Sequence, residues 1–183
     1  MSAPQLSDSK RLQNDYKQLL DEPIDDVWAV PCPYNIYECY YVLKGPSFTQ
    51  FAGGLYFGRI MFPKTYPFNG PSIYMMTPSG RFRTANDRFT GHLISMEDHL
   101  WSACNTVTSV LQSLQSWMFS QNNKWLTEDD DIDTLSLPVF DRQQRQQEFA
   151  INSYQFNIGD PRFGHYFPQL IQVIETFIFL TFI

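Results

Sequence analysis

At 183 residues and 43% apolar composition, the chain is long enough to bury one sizeable core. A formal net charge of −6 and a sequence pI of about 4.9 leave no basic stripe of the kind that neutralises a phosphate backbone. Generic nucleic-acid binding is thereby excluded, and protein partners are expected. Cys32, Cys39 and Cys104 are odd in number and lack the paired spacing of a zinc site or a disulfide framework. A reducing compartment is expected, with no metal and no cofactor.

The opening "MSAPQLSDSKRLQNDYKQLL" mixes acidic and basic residues and has no apolar h-region, so it reads as neither a secretory signal nor a transit peptide, and the cytosol is the expected location. Asp8 or Ser9 caps a first helix in which Leu12, Tyr16, Leu19 and Leu20 recur near helical spacing, Lys10, Arg11 and Lys17 face outward, and Pro23 ends the run. Between residues 27 and 76 the pattern changes to short β-rich runs, "VWAV", "ECYYVLKG", "LYFGRIMF" and "SIYMM". They predict a four-stranded antiparallel meander, with Gly53-Gly54 as a tight hairpin signal. The three prolines of "FPKTYPFNGP" mark a fixed surface loop.

Further along, Val107, Val110, Leu111, Leu114 and Met118 form one apolar helical stripe, with Ser102 or Asn105 as the candidate cap. This helix is expected on the face of the meander opposite the first. "TEDDDID" lacks the glycine and terminal glutamate of a calcium loop and reads as a solvated connection. A helix over about 141–157 and a second Pro/Gly loop, "GDPRFGHYFP", follow. The last residues, 176–183, are nearly unbroken apolar. At well under the roughly 20 residues of a membrane span, they read as a final core helix or, alternatively, as part of a tail anchor.

The words "KRLQNDYKQLL", "GGLYFGRIMFPKTYPFNGPSIYMMTPSGRF" and "WSACNTVTSVLQSL", in that order over about residues 10–118, resemble the catalytic core of ubiquitin-conjugating enzymes. "TPSGRF" is similar to the Thr-Pro-Asn-Gly-Arg-Phe of the subgroup that lacks the usual His-Pro-Asn and is tail-anchored in the endoplasmic reticulum. "INSYQFNIGDPRFGHYFPQ" resembles that subgroup's C-terminal part. The resemblance implies an α+β fold with an N-terminal helix, an antiparallel meander and C-terminal helices. It divides the chain into a core over 1–125 and, over 126–183, an acidic connection with helices and the apolar tail.

Such enzymes carry ubiquitin as a thioester on one cysteine and pass it to a lysine. A thiol ionises readily and its thioester is activated toward amines, whereas an aliphatic hydroxyl gives a sluggish oxyester. By the resemblance the cysteine precedes the tryptophan by eleven positions, and eleven back from Trp101 stands Thr90, after Arg88 and Phe89. Ser79 stands in the slot of the subgroup's asparagine. The expectation is a conjugating fold without its nucleophile, acting as a binding module or cofactor in ubiquitin transfer. Thr90 with His92 as base is one alternative. Cys104, read as lying in the first turn of the helix after Trp101, is the displaced nucleophile of another, an active enzyme in endoplasmic-reticulum-associated degradation. A membrane-associated adaptor held by the tail is a third.

The docking residues implied by the resemblance are Phe62, Pro63, Ser102 and Ala103, where family members meet ligases, and the basic Lys10 and Arg11 of the first helix. Phe62 is expected to be exposed. The implied partners are ubiquitin or a ubiquitin-like protein, and a ligase or an active conjugating enzyme. The implied place is the cytoplasm or the cytosolic face of the endoplasmic reticulum.

Overall fold

The computed structural model describes residues 10–82, 84, 94–95, 101–119, 139–172 and 174. Helix α1 (Lys10–Asp21) leads into an antiparallel sheet whose strands lie side by side in chain order: β1 (Val27–Cys32), β2 (Asn35–Lys44), β3 (Leu55–Met61), β4 (Ser72–Met75) and the two-residue β5 (Ile94–Ser95). The four-strand meander is as expected, and β5 extends it by pairing Ile94 with Ile73. Helix α2 (Val107–Phe119), helix α3 (Val139–Gly159) and the short helix α4 (Pro161–Tyr166) follow.

The near-continuous apolar run of β2 is explained by cover on both faces of the sheet. Cys39, Tyr41 and Leu43 point into one core with Ile60, Ile73 and Met75, where Leu12, Tyr16 and Leu19 of α1 meet Val107, Val110, Leu111, Leu114 and Met118 of α2. Tyr40, Val42, Leu55 and Phe57 point the other way, into a second core closed by Phe163, Phe167, Leu170 and Ile174. Here the structure departs from expectation: α1 and α2 share one face and touch each other, and the C-terminal segment covers the other. The alternation along β2 and β3 supplied two apolar faces, and a stripe on a helix does not say which of them it will meet.

Three local departures have equally simple causes. The chain between β2 and β3 is not a two-residue hairpin but a loop over 45–54, closed by Gly45 N–H donating to Gly54 O at 2.8 Å, with a turn at Gly53 (φ +79°) inside it. Helix α2 is capped by Thr106, not by Ser102 or Asn105: Ser109 N–H donates to Thr106 Oγ1 (3.2 Å) and Thr106 N–H to Ser109 Oγ (2.9 Å), a reciprocal pair that satisfies two orphan donors. The "GDPRFGHYFP" segment holds helix α4 instead of an open loop, because Asp160 accepts from Arg162 N at 2.9 Å and Pro161 suits a first helical position.

Candidate functional site

The segment 77–82, "TPSGRF", leaves β4 as a tight turn. Ser79 is fully buried, and its hydroxyl accepts from the backbone N–H of Arg81 and of Phe82, both at 3.2 Å. That is how a short polar side chain stabilises a turn. Gly80 has φ +62°, a conformation that favours glycine. The turn is braced from outside: Gln146 of α3 donates to Gly80 O at 3.2 Å, and Arg81 Nη2 donates to the carbonyl of Trp117 in α2 at 3.2 Å. Ser79 is thus a turn former held inside the protein. Thr90 and His92 lie outside the described residues.

The cysteines separate by environment. Cys39 is fully buried in the first core, and burial pushes its thiol up to about 12, which removes it as a nucleophile at neutral pH. Cys32 is half-buried and receives a hydrogen bond from the Tyr166 hydroxyl at 3.4 Å; this bond, then burial, raises the Tyr166 phenol. Cys104 is exposed. It is not in the first turn of α2, which starts at Val107, but in a preceding turn closed by Asn105 N–H donating to Ser102 O at 2.9 Å. The expected placement inside the first turn of that helix is therefore not the one found.

Phe62 is the plainest correction. It is 5% exposed, packed edge-on against Tyr16 (6.4 Å between centroids) and Tyr66 (4.9 Å), and so belongs to the core rather than to a docking surface. The reason is the pleat. Tyr56, Ile60 and Phe62 are separated by even steps, so Phe62 continues the inward face of β3. The aromatic that the loop presents to solvent is Phe68, 81% exposed, six residues on and flanked by Pro67. Even-step counting from β3 was the signal that separates the two rings.

Phe68 sits in a rigidly tied setting. Trp101 Nε1 donates to Pro67 O at 2.6 Å, bringing the loop beside the exposed Ser102 and Ala103. Tyr66 donates to the buried Asp15 carboxylate at 2.5 Å and touches Asn105 O at 3.3 Å; burial first, and then Asp15, raise its phenol. Arg11 pairs with Asp15 at 2.9 Å and donates to Asn105 O at 2.8 Å, so its side chain clamps α1 to the 102–105 turn, while Lys10 is exposed. Loop, turn and first helix form one surface, with Pro63 half-buried at its margin.

Residues 11–136 match the family described as ubiquitin-conjugating enzyme. The chain belongs to the ubiquitin-conjugating enzyme family. It is 34% identical over 168 residues to human "Ubiquitin-conjugating enzyme E2 J2", covering 91% of this chain and 60% of that one. It is 36% identical over 166 residues to "Ubiquitin-conjugating enzyme E2 34" of Arabidopsis thaliana, covering 89% and 64%. It is 36% identical over 163 residues to "Ubiquitin-conjugating enzyme E2 6" of Schizosaccharomyces pombe, covering 88% and 66%. The chain therefore spans about three-fifths to two-thirds of the length of these conjugating enzymes. Among the described residues no group of histidine, cysteine or acidic side chains is arranged to hold a metal, and no helix is long and apolar enough to cross a membrane.

Proposed function

We propose that this chain is a ubiquitin-conjugating fold used for binding rather than for thioester chemistry, holding a ligase, an active conjugating enzyme or ubiquitin during transfer at the cytosolic face of the endoplasmic reticulum. The observation that carries the binding half is the tied surface of Phe68, Ser102 and Ala103. An exposed ring on a proline-stiffened loop loses little freedom on docking, which is what a contact that dominates a small interface needs. The non-catalytic half rests on Thr90 in the cysteine slot, a hindered hydroxyl, and is supported by Ser79, whose side chain is buried and occupied by two backbone amides. Lys10, exposed at the start of α1, contributes charge that steers encounter more than it adds affinity.

A second reading is favoured by one observation, the exposure of Cys104. Incubation with activating enzyme, ATP and ubiquitin distinguishes the two on a gel. No thiol-sensitive adduct is expected; such an adduct, lost in Cys104→Ala, replaces the binding module by an enzyme with a displaced nucleophile. An adduct that resists thiol and yields to hydroxide, lost in Thr90→Ala, identifies an oxyester. The docking half is tested by titration against a ubiquitin ligase that captures the parent chain, where Phe68→Ala is expected to cost about 1–3 kcal/mol. Equal binding by parent and variant refutes the docking surface. Partition of the chain into vesicles, lost when residues 176–183 are removed, is the result that favours a membrane-held adaptor.

A further inference from the structure

Strand β1 is apolar from end to end, yet it is left half-covered. Its sequence, "VWAVPC", holds no charged residue, but all six residues are only half-buried, whereas Cys39 to Leu43 of the adjoining β2 are buried. The cause is position: β1 is the last strand on its side of the sheet, and among the described residues no strand pairs with its outer edge. That edge also offers hydrogen bonds. Lys44 N donates to Asp26 O at 2.9 Å, and partners alternate along an antiparallel pair, so Trp28 and Val30 bond to β2 while Ala29 turns its N–H and C=O outward. An open apolar edge is normally covered or charged, and β1 carries no charge.

A groove runs along this edge and takes in both faces of the sheet. Tyr16, Leu19 and Ile24 line it from the first core, Trp28 and Val30 from the second, and Gln169 of the C-terminal segment borders it as well. A strand laid beside β1 would meet apolar surface on both of its faces. Such a strand needs a near-continuous apolar run, not an alternating one.

The chain contains a run of this kind. Residues 176–183, "TFIFLTFI", which lie outside the described residues, hold no charge, and all but Leu180 are aromatic or β-branched, the side chains that favour strands. The reach is sufficient. Gln169 already borders the groove, and Ile174, five residues on, is buried in the second core together with Trp28 and Val30. Eight extended residues span about 26 Å, against roughly 20 Å for the six of β1. A foreign segment would have to compete with this one at the high local concentration that a direct chain connection gives. We propose that residues 176–183 form an added strand along the outer edge of β1, occupying this groove in the same molecule. The run is then neither a final helix nor an anchor.

Hydrogen exchange on the full chain reads the added strand directly. The Ala29 amide, which has no partner in β2, should exchange at least about tenfold more slowly than an open amide. Phe179→Asp should abolish that protection while the Val42 amide, in the middle of the sheet, stays protected and shows the fold intact. Occupancy within one molecule is tested by Phe179→p-benzoylphenylalanine, whose photo-adducts should join it to residues 16–31 of the same chain. An Ala29 amide that exchanges freely overturns the proposal, and so does protection that Phe179→Asp leaves intact. Adducts between two chains overturn it in favour of strand exchange between copies. Adducts to lipid, with phosphatidylcholine vesicles present, overturn it in favour of a membrane anchor.

Discussion

Helices α2 and α3 cover neighbouring parts of one sheet by opposite means. The inward side of α2 is Val107, Val110, Leu111, Leu114 and Met118, all buried and all apolar. That of α3 is amide, hydroxyl and methyl, with Thr77 Oγ1 donating to Asn157 Oδ1 at 2.5 Å and accepting from Phe57 N at 2.8 Å. The first helix is held by area removed from water, which is non-directional and tolerant of small shifts. The second is held by a few oriented bonds whose worth lies mainly in leaving no buried backbone group unpaired. A short β4 is what makes the difference: β3 pairs with it only from Gly58 to Met61, so Leu55 N donates to Ser153 Oγ at 3.0 Å and Leu55 O accepts from Asn157 Nδ2 at 2.8 Å.

Alkali should break this comparison most severely, because the most deeply buried groups that ionise, Tyr16, Cys39, Tyr41 and Tyr56, lie in the core that α2 covers. Burial raises the phenols of Tyr16, Tyr41 and Tyr56 and pushes the Cys39 thiol up to about 12. A group whose folded value is raised gives stability that is complete below its unfolded value and is lost as the pH climbs through the folded one. The loss should therefore begin above about 8.5 for the thiol and about 10 for the phenols, and run on past 12. Thermal unfolding followed across that range is expected to show a steeply falling midpoint. A flat profile would mean that the first core admits water.

The next largest effect is expected for Leu111→Ala, about 3 kcal/mol from lost transfer energy and a residual cavity, read by denaturant unfolding. Asn157→Leu sharpens the contrast. It raises apolarity at a fully buried position, yet should cost about 2 kcal/mol, because Leu55 O and the Thr77 hydroxyl lose their partner. A neutral Asn157→Leu would show that α3 is held by packing after all.

These two helices also mark where the sequence was readable. The stripe of α2 could be read directly, since its buried side is its apolar side, and so could the meander, whose β-rich runs are broken by proline and glycine. α3 could be located but not oriented: a helix that buries Gln146, Ser153 and Asn157 gives no apolar period on its inward face. Leu20, read with Leu19 as part of the α1 stripe, is 75% exposed, one residue past the inward face. At the candidate site the family was legible from words in order, whereas the turn that Ser79 stabilises was not, because it rests on hydrogen bonds from the Arg81 and Phe82 amides that only the folded backbone displays. Phe62 and Phe68 were not told apart, because both adjoin proline and only the register of β3 decides which ring turns inward.

The clamp around Asp15 has a last consequence. Arg11, Tyr66, Trp101 and Asn105 come from three stretches of chain, and their hydrogen bonds fix α1, the loop carrying Phe68 and the turn carrying Ser102 to one another before any partner arrives. The loss of conformational entropy for these segments therefore occurs during folding rather than at encounter. Docking on this surface should resemble the meeting of two rigid bodies, with a small unfavourable entropy for this chain and any large ordering penalty belonging to the partner.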